Sequence, residues 1–168
     1  MTIERRATVS GQTPTNPDDA PAPTEVRRPD GQHADHWVLP ESERAKGYVR
    51  PVRFDYVHVG PPAPKNPLRD LTPEELERWG ANEYVKFEEY PYDGSGTSAT
   101  GRFWTQAQLD KVDKGCGIKT SMPRAIAETY ARQPGYYGST FCAGCGEYYR
   151  VGKNGEFVWT GTDERVGT

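Results

Sequence analysis

The chain has 168 residues, with 21 Lys plus Arg against 24 Asp plus Glu, and its formal net charge of -3 offers nucleic-acid phosphates no whole-chain attraction. Hydrophobic residues make up only 34%, while 18 Gly and 15 Pro place much of the chain in turns and extended segments. This predicts one modest domain with a tail and a small core, excludes two large domains, and leaves no apolar run long enough to cross a membrane and no secretory leader.

Residues 1–35 hold Pro14, Pro17, Pro21, Pro23 and Pro29 among Thr, Asp, Ala and Arg, with few large apolar side chains to offset the entropy of ordering. They read as a flexible arm, either disordered or ordered on a partner. A single α+β domain is expected over 36–168, a small antiparallel sheet with short helices around a zinc-ribbon-like knuckle at 113–146.

Pro40 followed by Glu41, Ser42 and Glu43 suits the first turn of a short helix that ends before Gly47. In Tyr48 to Val59 the residues Val52, Phe54, Tyr56 and His58 share one parity, the pattern of a strand, with Pro51 restricting its beginning. Thr72-Pro73-Glu74-Glu75 is a capping box with proline at the first helical position, and that helix should stop near Gly80. Tyr84 to Glu88 alternates as a strand does, and a Gly/Ser/Thr-rich loop spans Pro91 to Gly101. Arg102-Phe103-Trp104 re-enters structure, Thr105 caps a helix through Val112, and Trp104 is placed to staple against Leu109. Ser121 is expected to cap a helix from Met122 to Arg132, whose stripe of Met122, Ala125, Ile126, Thr129 and Tyr130 faces the core. From Tyr136 to Trp159 short aromatic runs predict an antiparallel unit, with Asn154-Gly155 as a type I′ hairpin turn.

The chemistry concentrates in three cysteines, a number that cannot fully pair within the chain. Cys142-Ala143-Gly144-Cys145-Gly146 brings two sulfurs to one side of a turn, and its last glycine lets the backbone fold tightly around an ion. Asp113-Lys114-Gly115-Cys116-Gly117 has the same spacing with Asp in place of the first Cys. Thiolates bind Zn²⁺ at about 2.3 Å and carboxylates at about 2.0 to 2.2 Å, so Asp113, Cys116, Cys142 and Cys145 form a candidate tetrahedral set. His58 or water is the replacement should Asp113 be only a solvated residue. A redox CxxC normally opens a helix, whereas Gly146 and the aromatic run after it favour a β turn. A rubredoxin-like iron site fits three thiolates and a carboxylate less well than zinc.

Gly101-Arg102-Phe103-Trp104-Thr105, Gly115-Cys116-Gly117, Ala127 to Arg132 and Tyr137 to Cys142 together resemble a group of uncharacterised zinc-ribbon-like proteins of tailed bacteriophages. The likeness runs over 36–168. In that group a His commonly stands where this chain has Asp113, and another where it has Tyr148. The resemblance implies phage origin, a zinc-ribbon-like site, and residence in the host cytoplasm or the virion; it brings no established activity.

The only histidines are His33, His36 and His58, and no HExxH, GxSxG or GK[ST] phosphate loop occurs. The deaminase pattern of HxE with PCxxC is also missing. The chain is therefore read as a non-enzymatic zinc-binding module with a structural or protein-interaction role, its partner a protein such as a phage structural component. A metalloenzyme would need an open coordination position. A regulator that binds nucleic acid or host transcription machinery is the second reading, because residues 101–134 hold six basic and three acidic side chains. Lys114, Lys119, Arg124 and Arg132 would then touch phosphates, against the plainer reading of a solvated basic face.

Overall fold

The computed structural model describes residues 7–8, 27–33, 36–91 and 101–168. They form a mixed α and β structure of small antiparallel sheets and short helices. Most of the expected arm, and most of the Pro91 to Gly101 loop, lie outside the described residues. The chain divides into two compact units, one of Met1–Val59 with Gly115–Thr168 and one of Gly60–Lys114.

In the first unit a two-residue strand β1 (Ala7–Thr8) pairs with β2 (Trp37–Val38). Helix α1 (Glu41–Arg44) follows Pro40. Strand β3 (Asp55–His58) is shorter than the alternating stretch suggests, and its pattern buries Tyr56 and His58. In its sheet β3 lies between β7 (Lys119–Ser121) and β10 (Phe157–Trp159), antiparallel to both. Ser121 faces Asp55 as the last residue of β7, and its hydroxyl donates to the Asp55 carboxylate, so it is not free to cap a helix. Helix α4 (Arg124–Arg132) starts instead behind Pro123, which has no side-chain cap bond. The expected stripe does face inward: Met122, Ile126, Thr129 and Tyr130 are buried and Ala125 packs against the core. Around them lie Val38, Tyr56, Phe157, Trp159 and Val166, so the core mixes aromatic rings with aliphatic side chains. Tyr56 meets Phe157 edge-on at 5.2 Å between centroids, a geometry the ring quadrupoles favour.

Strands β8 (Ser139–Cys142) and β9 (Glu147–Arg150) form a hairpin whose connection is the Cys142 to Gly146 turn. Asn154-Gly155 closes no hairpin, because β9 pairs with β8 and β10 with β3. Neither Asn154 nor Gly155 has the positive φ a type I′ turn needs; Gly152, at φ 106°, turns the chain there. The described stretch 27–33, inside the expected arm, packs on this hairpin. The His33 amide donates to the Tyr148 hydroxyl at 2.9 Å, and His36 Nε2 lies 3.0 Å from the same oxygen.

The second unit holds a sheet of order β4 (Leu68–Asp70), β5 (Tyr84–Glu89), β6 (Gly101–Thr105), all antiparallel. Helices α2 (Pro73–Trp79) and α3 (Gln106–Lys111) open with complete capping boxes, Thr72 with Glu75 and Thr105 with Gln108. Trp104 donates its indole N–H to the buried Glu88 carboxylate at 2.9 Å. Glu88 also accepts from the Lys65 and Asn66 amides and from Asn66 Nδ2, so its charge is fully hydrogen-bonded although it is out of water.

Candidate metal centre

Three elements far apart in sequence converge at one end of the β3 sheet. His58 comes from the end of β3, Cys116 from the turn before β7, and Cys142 and Cys145 from the β8–β9 turn. Their ligand atoms, one from each residue, all lie within 4.8 Å of one another. Cys116 Sγ is 3.4 Å from Cys142 Sγ, and Cys145 Sγ is 3.5 Å from His58 Nδ1.

These separations fit ligands rather than a disulfide. An S–S bond is about 2.05 Å long. A tetrahedron with metal–sulfur bonds of about 2.3 Å and metal–nitrogen bonds of about 2.0 to 2.1 Å has edges of about 3.8 Å between sulfurs and about 3.6 Å from sulfur to nitrogen. All three cysteines are free thiols. Three soft sulfurs and an imidazole nitrogen are a donor set that suits a divalent metal ion.

The backbone explains why these residues meet. Gly117 and Gly146, each directly after a cysteine, adopt φ 72° and 70°, the left-handed conformation that glycine reaches without strain. The Gly117 amide donates to His58 O at 2.9 Å, and a Cβ on Gly115 would stand 2.1 Å from that same oxygen. Glycine is thus what lets the Cys116 turn lie against β3. A Cβ on Gly144 would stand 2.7 Å from Ile118 Cβ and 2.8 Å from Cys116 Sγ, so the two turns approach each other as closely as they do only without that carbon.

Amide hydrogens point at the sulfurs. Ile118 N–H donates to Cys116 Sγ and Cys145 N–H to Cys142 Sγ, each at 3.4 Å. Burial works against ionisation of Cys116, but the Ile118 amide and the hydrogen bonds from Cys142 and Cys145 outweigh it and hold this thiol below its ordinary value. Burial pushes the Cys142 thiol up to about 12. Coordination to a cation would deprotonate both outright. Cys116 and Cys145 are exposed, whereas Cys142 and His58 are buried.

His58 is held at both nitrogens. Nδ1 accepts from the Cys116 amide at 3.4 Å and faces the sulfurs, while Nε2 lies 3.0 Å from Glu156 Oε1. This network assigns the ring proton to Nε2, so that Nδ1, whose lone pair takes the long bond from the Cys116 amide, is the nitrogen that would bind an ion. A carboxylate behind a ligating imidazole is the usual way such a ring is oriented. Glu156 is placed by its backbone: its amide donates to Arg150 O at 2.9 Å and its carbonyl accepts from Val59 N at 2.9 Å. Tyr149 stacks on the other side of the imidazole at 4.4 Å, and its contact with Cys145, together with burial, raises its phenol to about 12.

Of the residues expected as ligands, the structure brings Cys116, Cys142 and Cys145 together and joins them with His58. Asp113 is not in the cluster. It belongs to the Gly60–Lys114 unit, has φ 56°, and donates its amide to Pro61 O at 2.9 Å. His58 is the alternative to Asp113 that the sequence offers, at the same parity as the buried Tyr56 in β3; Glu156 follows Asn154-Gly155, and nothing there marks it as the partner of a ligand. Among the basic residues expected to touch phosphates, Lys119 Nζ lies 3.9 Å from Asp55 Oδ2, Arg124 stands 5.8 Å over the Phe54 ring, and Arg132 donates to Gly47 O at 3.5 Å. Lys114 lies in the Gly60–Lys114 unit. No helix among the described residues is long and apolar enough to cross a membrane. Comparison of the chain with protein-family models, with curated proteins and with solved structures gives no match.

Proposed function

We propose that this chain is a zinc-binding, non-enzymatic protein of tailed bacteriophages, in which a zinc-ribbon-like Cys116–Cys142–Cys145–His58 centre is structural and the function is exercised through protein contacts in the virion or the host cytoplasm. The observation that carries this is the convergence of four donor atoms within 4.8 Å from three separate chain segments. Three thiolates and one imidazole are a standard closed set for structural Zn²⁺, and a closed set leaves no position for a substrate or a reactive water. The core cluster is small, aromatic rings and aliphatic side chains together, so a bound ion adds stability that the core supplies only in part. Zinc binding in small modules contributes on the order of 10 kcal/mol.

The regulator reading has less behind it, since Lys119, Arg124 and Arg132 each make a contact within this chain, to Asp55, Phe54 and Gly47. The test is metal content and its thermal consequence. Protein purified without chelator should hold stoichiometric zinc by atomic absorption, and EDTA should lower its melting temperature sharply. Metal-free protein with an unchanged melt in EDTA would contradict the proposal, and retention on DNA or RNA that falls steeply with salt would favour the regulator.

A further inference from the structure

Residues 27–33 fold back on themselves. Arg27 and His33 pair antiparallel, the Arg28 amide donates to Gln32 O at 2.6 Å, and the Gly31 amide donates to Arg28 O at 2.9 Å. The Asp30 carboxylate accepts from the Gln32 amide at 3.0 Å, an Asx turn, and Gly31 takes a φ of 94° at the bend. A single two-stranded fold-back is marginal in water with nothing to pack on, so this one owes its order to its seat.

The seat is the turn that carries two of the candidate ligands. A Cβ on Gly31 would stand 2.5 Å from the carbonyl oxygen of Gly146 and 3.7 Å from the Phe141 ring, so the bend lies against the residue that follows Cys145. Seen from the other side, a Cβ on Gly146 would stand 3.4 Å from Asp30 O. Beyond the bend, the His33 amide donates to the Tyr148 hydroxyl at 2.9 Å and the two rings lie 4.3 Å apart, with the Arg27 guanidinium 5.8 Å from the Tyr148 ring. Tyr148 is the cross-strand partner of Phe141 in the β8–β9 pairing, so the same hairpin supplies all of these contacts. Cys142 and Cys145 mark the two ends of its turn, and the Gly146 amide donates back to Cys142 O at 2.9 Å. An ion bound by both sulfurs would fix the turn and with it the Gly146 carbonyl on which Gly31 rests.

We infer that 27–33 is a metal-linked strap: ion binding at His58, Cys116, Cys142 and Cys145 seats it on the β8–β9 turn, and the seated strap in return retains the ion. Both equilibria act on one element, so linkage makes the effect reciprocal, and whatever releases the strap weakens metal binding by the factor by which metal loss weakens docking. The inference rests on the metal reading above and adds a regulatory consequence: the metal state of the centre decides whether this stretch is held on the hairpin or released.

The test uses the full-length, zinc-loaded chain. Hydrogen exchange read by mass spectrometry follows the strap, and competition with a chromophoric chelator follows the metal. Gly31→Ala puts a methyl against the Gly146 carbonyl at a φ that suits glycine. Tyr148→Phe removes the hydroxyl that accepts from His33 and keeps the test decisive if Gly31→Ala misfolds. In the wild type the amides of Arg28, Gly31 and His33 should be protected from exchange. In the variants that protection should fall while β8, β9 and α4 stay protected, and zinc affinity should fall with it, on the order of tenfold in Gly31→Ala. Unprotected strap amides in the zinc-loaded wild type, a strap released with zinc affinity unchanged, or a strap still protected in both variants would overturn the inference. Wild-type protein without stoichiometric zinc fails the metal reading itself, whereas zinc held equally well with the strap released removes the linkage alone.

Discussion

His58 Nε2 and Glu156 Oε1 lie 3.0 Å apart across 98 residues of sequence, and this contact turns the opposite nitrogen of the ring toward three sulfurs. The carboxylate sits behind the imidazole, where it fixes the tautomer and strengthens the ring as a donor.

Glu156→Gln should therefore bind metal about 10- to 100-fold more weakly while retaining the fold in the metal-loaded state. Competition against a chromophoric chelator measures this. Wild-type affinity in the variant would mean that Glu156 is only a surface neighbour of the ring.

The fourth ligand separates two substitutions. His58→Ala should lose stoichiometric zinc and melt far below the wild type, whereas Asp113→Asn should keep both metal and melting temperature, since Asp113 lies outside the four-donor group. Metal lost on Asp113→Asn and kept on His58→Ala would restore the carboxylate as ligand.

Gly144→Ala places a methyl 2.7 Å from Ile118 Cβ and 2.8 Å from Cys116 Sγ, distances at which the two turns must separate. Overpacking of this kind costs about 1–3 kcal/mol. Here it should also weaken zinc affinity, because it pushes Cys116 away from the β8–β9 turn. Gly138→Ala, where nothing lies within 4 Å, is the matched control and should change neither quantity.

The core has an alkaline limit. Burial raises the Tyr56 phenol from 10.0 to about 12 and lifts Tyr130 and Tyr137 still further. The folded chain thus holds these protons more tightly than the unfolded chain, and the stability they contribute is fully present below pH 10 and is lost as the pH rises from there through about 12. Spectrophotometric titration should show these phenols ionising together with loss of the fold. Ionisation near pH 10 with secondary structure intact would contradict their burial.

What was legible in the sequence was what a few adjacent residues decide by themselves. The box at Thr72 and the cap at Thr105 close within four residues and appear as read, and Gln108 completes a second box at Thr105 that the sequence reading leaves out. The glycines after Cys116 and Cys145 announced two tight turns, and both have positive φ. Features settled by distant partners were less legible. Ser121 has the chemistry of a helix cap, but pairing with Asp55 in the sheet uses it first. Asn154-Gly155 has the chemistry of a hairpin turn, but its flanking strands belong to different sheets. Trp104 has the position of a staple for α3, and what the sequence does not signal is the bond from its indole N–H to Glu88 on β5. The division at Gly60 and Lys114 leaves no mark in composition strong enough to read, since both units are polar and rich in turns. His58 is legible as the alternative to Asp113, and what sets it beside the sulfurs is the pairing of β3 with β7, which brings the Cys116 turn alongside.

X-ray absorption at the zinc edge on metal-loaded protein tests the centre most directly, because it counts ligand types without reference to the fold. The expected spectrum fits three sulfurs at about 2.3 Å and one imidazole nitrogen at about 2.0 to 2.1 Å, with the nitrogen contribution lost in His58→Ala. A first shell of three sulfurs and a carboxylate oxygen, or a spectrum dominated by light ligands, would contradict the assignment of His58, Cys116, Cys142 and Cys145 as one metal centre.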